Sequence, residues 1–120
     1  MATADRIVRA HQDAIGRGDF VAARRLLHDD LSFRGPFDVF AAPEPYLESL
    51  KKLHPIVQRI ETKKVWSDGP DVCVFYETAT TVSIAPEMIA EWFRVRGDRI
   101  ASIRAVFDAR PFAAMFAEGA

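Results

Sequence analysis

At Pro55 the hydrophobic period of this chain changes. Ahead of it, apolar residues return every three or four positions. Beyond it they alternate or gather in β-branched and aromatic runs separated by turn residues. A chain that places its helices before a series of strands packs them as layers, with the helices covering one face of a sheet. It does not interleave them as βαβ units. This predicts an α+β fold: three N-terminal helices packed on a curved antiparallel sheet.

Thr3 is a suitable N-cap, and Ile7, Ala10, Ala14 and Ile15 follow at helical spacing until Gly16 and Gly18 end the run. Asp19 can cap a second, shorter helix through Phe20, Ala23, Leu26 and Leu27. His28, Asp29 and Asp30 break that pattern before a brief strand at 31–33, and 34–42 reads as a loop around Gly35 and Pro36. Pro43 and Pro45 fit the first turn of a third helix carrying Tyr46, Leu47, Leu50 and Leu53. Segments 56–66, 72–84, 88–96 and 99–107 are then four strands joined by tight turns.

The 120 residues suffice for one core, so residues 1–120 are read as a single domain. Sixteen Lys and Arg against 17 Asp and Glu leave a net charge of -1, which gives no general attraction for nucleic acid or an anionic membrane. Cys73 is the one cysteine, so neither an internal disulfide nor a cysteine zinc site is available. The start of the chain lacks an export signal's apolar segment, which makes a cytoplasmic location the expectation. His28-Asp29-Asp30 does not supply preorganised metal ligands, so no metal is expected, and no organic cofactor is implied.

Side chains two apart in a strand share a face, and this sorts each strand into an inner and an outer row. Ala101, Ile103, Ala105 and Phe107 form the inner row of the last strand. Ile89, Glu91, Phe93 and Val95 form that of the strand before it, and Val72, Val74, Tyr76, Thr78 and Thr80 that of the strand before that. Glu91 interrupts an otherwise apolar row. His11 does the same on the first helix, four residues after Ile7 and three before Ala14. Either the two are a satisfied structural pair, or they converge in a cavity as acid/base or as donors to a carbonyl oxygen.

The order of segments, with Gly18-Asp19-Phe20, Phe33-Arg34-Gly35-Pro36, Glu91-Trp92-Phe93-Arg94-Val95 and Arg104-Ala105-Val106-Phe107-Asp108, resembles the SnoaL-like branch of the nuclear transport factor 2-like superfamily. The resemblance spans nearly the whole chain and implies a cone-shaped α+β barrel with an internal pocket. Similar ketosteroid isomerases carry a helix-one tyrosine and a penultimate-strand acid where this chain has His11 and Glu91. Their loop base falls on Gly35, with Asp38 the nearby carboxylate. The Asp-Arg-Asp triad of similar limonene-epoxide hydrolases falls on Thr78, Thr80 and Ala105, which excludes that chemistry. The late-strand acid of similar polyketide cyclases lies near Asp108, read here as a strand-end ion-pair residue.

Two functions stay open at this point. In the first, His11 and Glu91 move a proton on a small, largely apolar carbonyl compound. Tyr46, Tyr76, Thr78, Thr80, Phe93 and Ala105 then line the pocket, and Arg34 either binds an anionic group at its mouth or is a solvated loop residue. In the second, the protein is a non-catalytic binder of a hydrophobic molecule or a dimeric interaction module. In both, Trp66, Phe75, Met88 and Trp92 make an apolar outer face suited to a homodimer. Residues 111–116 are apolar enough to cover the pocket mouth or a dimer edge, or else form a frayed tail.

Overall fold

The computed structural model describes residues 3–82 and 85–113. Helix α1 runs Ala4–Arg17, opened by the Thr3 hydroxyl accepting from the Arg6 amide and closed by Gly18 at φ 73°. Only glycine adopts that left-handed geometry without strain, and its N–H returns to the last carbonyls of the helix. Asp19 then accepts from the Ala22 amide and opens α2, Phe20–Arg25. Helix α3, Pro43–Leu53, begins on a proline whose missing N–H no helix would have used. A 3-10 turn, His54–Ile56, carries the chain from it into the sheet.

Six strands form one sheet: β1 Leu27–Arg34, β2 Val39–Phe40, β3 Val57–Asp68, β4 Asp71–Thr80, β5 Glu87–Arg96 and β6 Arg99–Phe107, in the order β2-β1-β6-β5-β4-β3. The four long strands form the expected antiparallel meander, but β1 lies parallel to β6, so the sheet is mixed. β1 also starts four residues before the expected strand. His28, Asp29 and Asp30 do not break it: half-buried to exposed, they fall where the pairing with β6 shifts register, while Leu27 and Leu31 on either side are wholly buried. Arg24 pairs with Asp29, and Arg96 with Asp30, so those charges stay at the surface. Within the expected loop 34–42, Val39–Phe40 pairs with Arg34 and Phe33 and makes a two-residue edge.

The helices cover the inner face. Ile7, Val8 and Ala14 of α1 meet Val72, Val74, Phe93, Val95 and Ile103 in a single core. On β6 the pairing jumps from Arg94↔Ser102 to Val95↔Ile100, which leaves one extra residue in that strand. This bulge turns Ile100 fully into the core, while Ala101, expected there by alternation, is half-buried. β3 carries two further register shifts and an almost wholly exposed, charged surface, as an edge strand requires. Past β6 a 3-10 turn, Arg110–Phe112, buries Phe112. The expectations for Ile84 and for 114–116 lie outside the described residues.

Candidate functional site

Between α3 and the inner face of the sheet lies a cavity of about 150 Å³. Leu50 and Leu53 of α3, Ile56 after it, Phe33 of β1, Phe107 of β6 and Phe112 give it apolar walls. Tyr76, Thr78 and Thr80 enter from alternate positions of β4, Glu91 from β5, Tyr46 and Ser49 from α3, and Asp38 from the loop after β1. A cavity of this size takes a guest about as large as benzene.

Glu91 is 8% exposed and accepts hydrogen bonds from the Tyr76 hydroxyl and, at 3.4 Å, from the Gln12 side-chain amide. Burial pushes its carboxyl up to about 7, and these two donors restrain the shift. It is therefore divided between acid and carboxylate at neutral pH, the condition in which one group can both take and return a proton. Burial, and secondarily the charge of Glu91, hold the Tyr76 phenol well above its ordinary value, so it stays a donor. Tyr46 is kept protonated by the same causes in the same order.

His11 is almost wholly buried but does not line the cavity, and its hydrogen-bonded link to Glu91 is indirect. Gln12 stands between them. Its amide nitrogen donates to Glu91, so its oxygen is the atom facing His11 Nδ1 at 3.0 Å, and Nδ1 carries the ring proton. Nε2 is then bare and accepts from the Tyr46 hydroxyl at 3.2 Å. Burial lowers the imidazole to about 4, with the Gln12 bond opposing, so His11 is neutral at pH 7. The result is a directed chain, Tyr46 to His11 to Gln12 to Glu91, in which each proton points toward the carboxyl.

The remaining residues divide by position. Tyr46, Tyr76, Thr78, Thr80 and Ala105 line the cavity. Phe93 lies behind it with its ring edge-on to His11 at 5.6 Å, and Arg34 is exposed and outside the lining. Asp108 is spent on Arg110, 2.7 Å away, and held down to about 2 by it. Gly35, where the resemblance to the isomerases places a loop base, is crowded: a Cβ there would stand 3.2 Å from two carbons of the Phe33 ring. Among the described residues no group of three His, Cys, Asp or Glu side chains could hold a metal ion. No helix among them is long and apolar enough to cross a membrane.

Gln12 and Ser49 escaped the sequence reading. Gln12 does carry a signal, lying four residues after the buried Val8 at the edge of the apolar stripe of α1. Thr78 and Thr80 were expected in the pocket, but their state is new: both Oγ1 atoms are buried without a hydrogen-bond partner. An unsatisfied buried hydroxyl costs about 1–3 kcal/mol.

Residues 8–103 match the family model described as SnoaL-like domain. A comparison with curated proteins returns no match. Among solved structures, an NTF2-like protein of unknown function from Cytophaga hutchinsonii superposes with a TM-score of 0.83 at 22% identity, over 94% of this chain and 96% of that one. An LEH-like epoxide hydrolase from M. tuberculosis gives 0.75 at 21% identity, over 95% of each chain. A Catenulispora acidiphila protein with a ketosteroid isomerase-like fold, in complex with trimethylamine, gives 0.67 at 18% identity over 82% of each. At these identities the structural likenesses speak for the fold alone, while the match over 8–103 carries the family. The fold is that of the NTF2-like protein above, and the chain belongs to the SnoaL-like domain family.

Proposed function

We propose that the protein binds a small, largely apolar carbonyl compound in the cavity and moves a proton on it, with Glu91 as the acid/base. The observation that carries this reading is a buried carboxyl, pushed up to about 7, that lines a cavity with largely apolar walls. As a carboxylate it takes a proton from the carbon next to the carbonyl, whose electron pair moves onto the carbonyl oxygen. As an acid it returns the proton to the same or a conjugated carbon. Tyr76 aims the carboxyl, and His11 acts through Gln12 rather than on the substrate. Tyr46 and Ala105 shape the wall.

Exchange of the α-hydrogens of cyclohexanone in D2O, followed by NMR, tests it. The wild type is expected to accelerate exchange with a rate that rises through an inflection near pH 7. Glu91→Gln should lose about 100-fold or more of the acceleration. His11→Ala, which frees the Gln12 amide from one partner, should move the inflection to higher pH. Equal rates for wild type and Glu91→Gln would overturn the reading.

The glycine at position 35, which supplies no loop carboxylate, favours a second reading, in which the cavity binds without catalysis; binding of cyclohexanone with no accelerated exchange would select it. Under either, two copies pair through the outer sheet face, where Trp66 is 51% and Trp92 47% exposed beside Phe75, Met88 and Val106. Sedimentation should show a dimer that Trp92→Asp converts to monomer. A monomeric wild type would exclude the pairing.

A further inference from the structure

Glu91 stands at the border of two spaces. On the inner face of β4, Val74 lines a groove of about 330 Å³ between α1 and strands β3 and β4, while Tyr76, two residues further along the same face, lines the cavity. Among the described residues the groove and the cavity share no lining residue. Glu91 is paired across the sheet with Val74 and accepts from the Tyr76 hydroxyl, so it lies where one space gives way to the other. On the groove side the barrier is Gln12, half-buried, beside the almost wholly buried Val74. Gln12 lines the groove and holds its amide nitrogen 3.4 Å from Glu91 Oε1.

We infer that this groove is the solvent port of Glu91 and that Gln12 is its door, so that the carboxyl exchanges its proton with water from the groove, apart from the cavity that holds the ligand. This rests on the proposed function for what fills the cavity, but not on the cavity being catalytic. Gln12 is then a positioning residue: its amide steadies the carboxylate and its bulk keeps water off. Turning that amide outward breaks the 3.4 Å bond to Glu91 and the 3.0 Å bond to His11, and water entering the vacated place finds Oε1 and Nδ1 as partners. The other groups around Glu91 offer no such exchange. Tyr76 and Tyr46 are held protonated, His11 is neutral and bonded to Gln12 and Tyr46, Ala105 stands opposite on β6, and Asp38 belongs to the cavity. At the groove, Arg9 pairs with Asp5 and Arg17 with Asp13, each at 2.9 Å, which balances the charge over Gln12.

Titration of the Glu91 carboxyl by carbon NMR in the full-length protein, its signal assigned with Glu91→Gln, provides the test. In the wild type it is expected near 7. Gln12→Met keeps the bulk and removes the amide donor, so the titration should move up by about half a unit. Gln12→Ala removes both, and water in the opened port favours the charged form, so the titration should move down by about one unit. Gln12→Ser opens the same space and should follow Gln12→Ala, which keeps the test in force if the alanine variant does not fold. Loss of the hydrogen bond alone would raise the titration in every variant, so the opposite signs report the port. An upward shift or none in Gln12→Ala and Gln12→Ser, or a downward one in Gln12→Met, would overturn the inference. Opposite shifts without any exchange of cyclohexanone hydrogens would leave the port standing and exclude only the proposed catalysis. A wild-type Glu91 that titrates at its ordinary value would exclude both.

Discussion

Phe33 decides what the loop beside the cavity can carry. Its ring is held against Tyr46 at 5.0 Å and Phe40 at 5.7 Å, and two of its carbons would stand 3.2 Å from a Cβ at position 35. Gly35→Asp, which would put a carboxylate at the place of the isomerase base, is therefore expected to destabilise the fold by about 1–2 kcal/mol through overpacking. In a Phe33→Leu background the same substitution should cost less, because the two ring carbons nearest the new Cβ are gone. Urea unfolding of the four proteins measures the coupling. Equal costs in both backgrounds would show that the ring is not the obstacle. The candidate site was legible in the sequence to the extent that chemistry interrupts a row: Glu91 and His11 stand out because each replaces an apolar residue on a core-facing surface. Gln12 did not stand out, since a glutamine at the edge of a helical stripe is ordinary. Alternation gives the face on which a side chain lies but not how deep it sits. Hence His11 and Glu91 could be placed on facing surfaces, while the amide between them could not be foreseen.

At the scale of elements, what is local in sequence was readable and what depends on pairing was not. The bounds of α1 follow from Thr3 and Gly18, and those of α3 from Pro43 and the proline after it, because caps and breakers act within a few residues. β6 has the limits that the sequence predicts, since Gly97-Asp98 precedes it and Asp108 follows it. β1 is longer than the local pattern predicts, because its first half carries His28, Asp29 and Asp30 in succession and shows no alternation. Only the pairing of Leu27 with Ile100 shows that this half is strand. The parallel partnership of β1 and β6 joins segments about 70 residues apart, beyond any local pattern. The bulge in β6 has the same origin: alternation applied without it assigns Ala101 to the core, when the register shift gives that place to Ile100.

Over the whole molecule, the two buried titratable groups joined through Gln12 pull stability in opposite directions. His11 falls from 6.5 to about 4 on folding, so between those values the unfolded chain binds more protons there, and stability rises with pH. Glu91 climbs from 4.5 to about 7, so between those values the folded protein binds more protons, and stability falls with pH. The windows overlap from 4.5 to 6.5, and there the two slopes cancel. Each alone amounts to about 3 kcal/mol across its window. The wild type should therefore show little pH dependence from this pair between 4.5 and 6.5, and single variants should unmask it. The stability of the wild type minus that of Glu91→Gln should fall by about 3 kcal/mol between pH 4.5 and 7.5. The corresponding difference for His11→Gln should rise by a similar amount between pH 4 and 6.5. Urea unfolding at pH 4.5, 5.5, 6.5 and 7.5 measures the first difference; one that stays flat would mean that Glu91 is not held up by burial. In that case the carboxyl would lack the balance between acid and base on which its proposed chemistry depends.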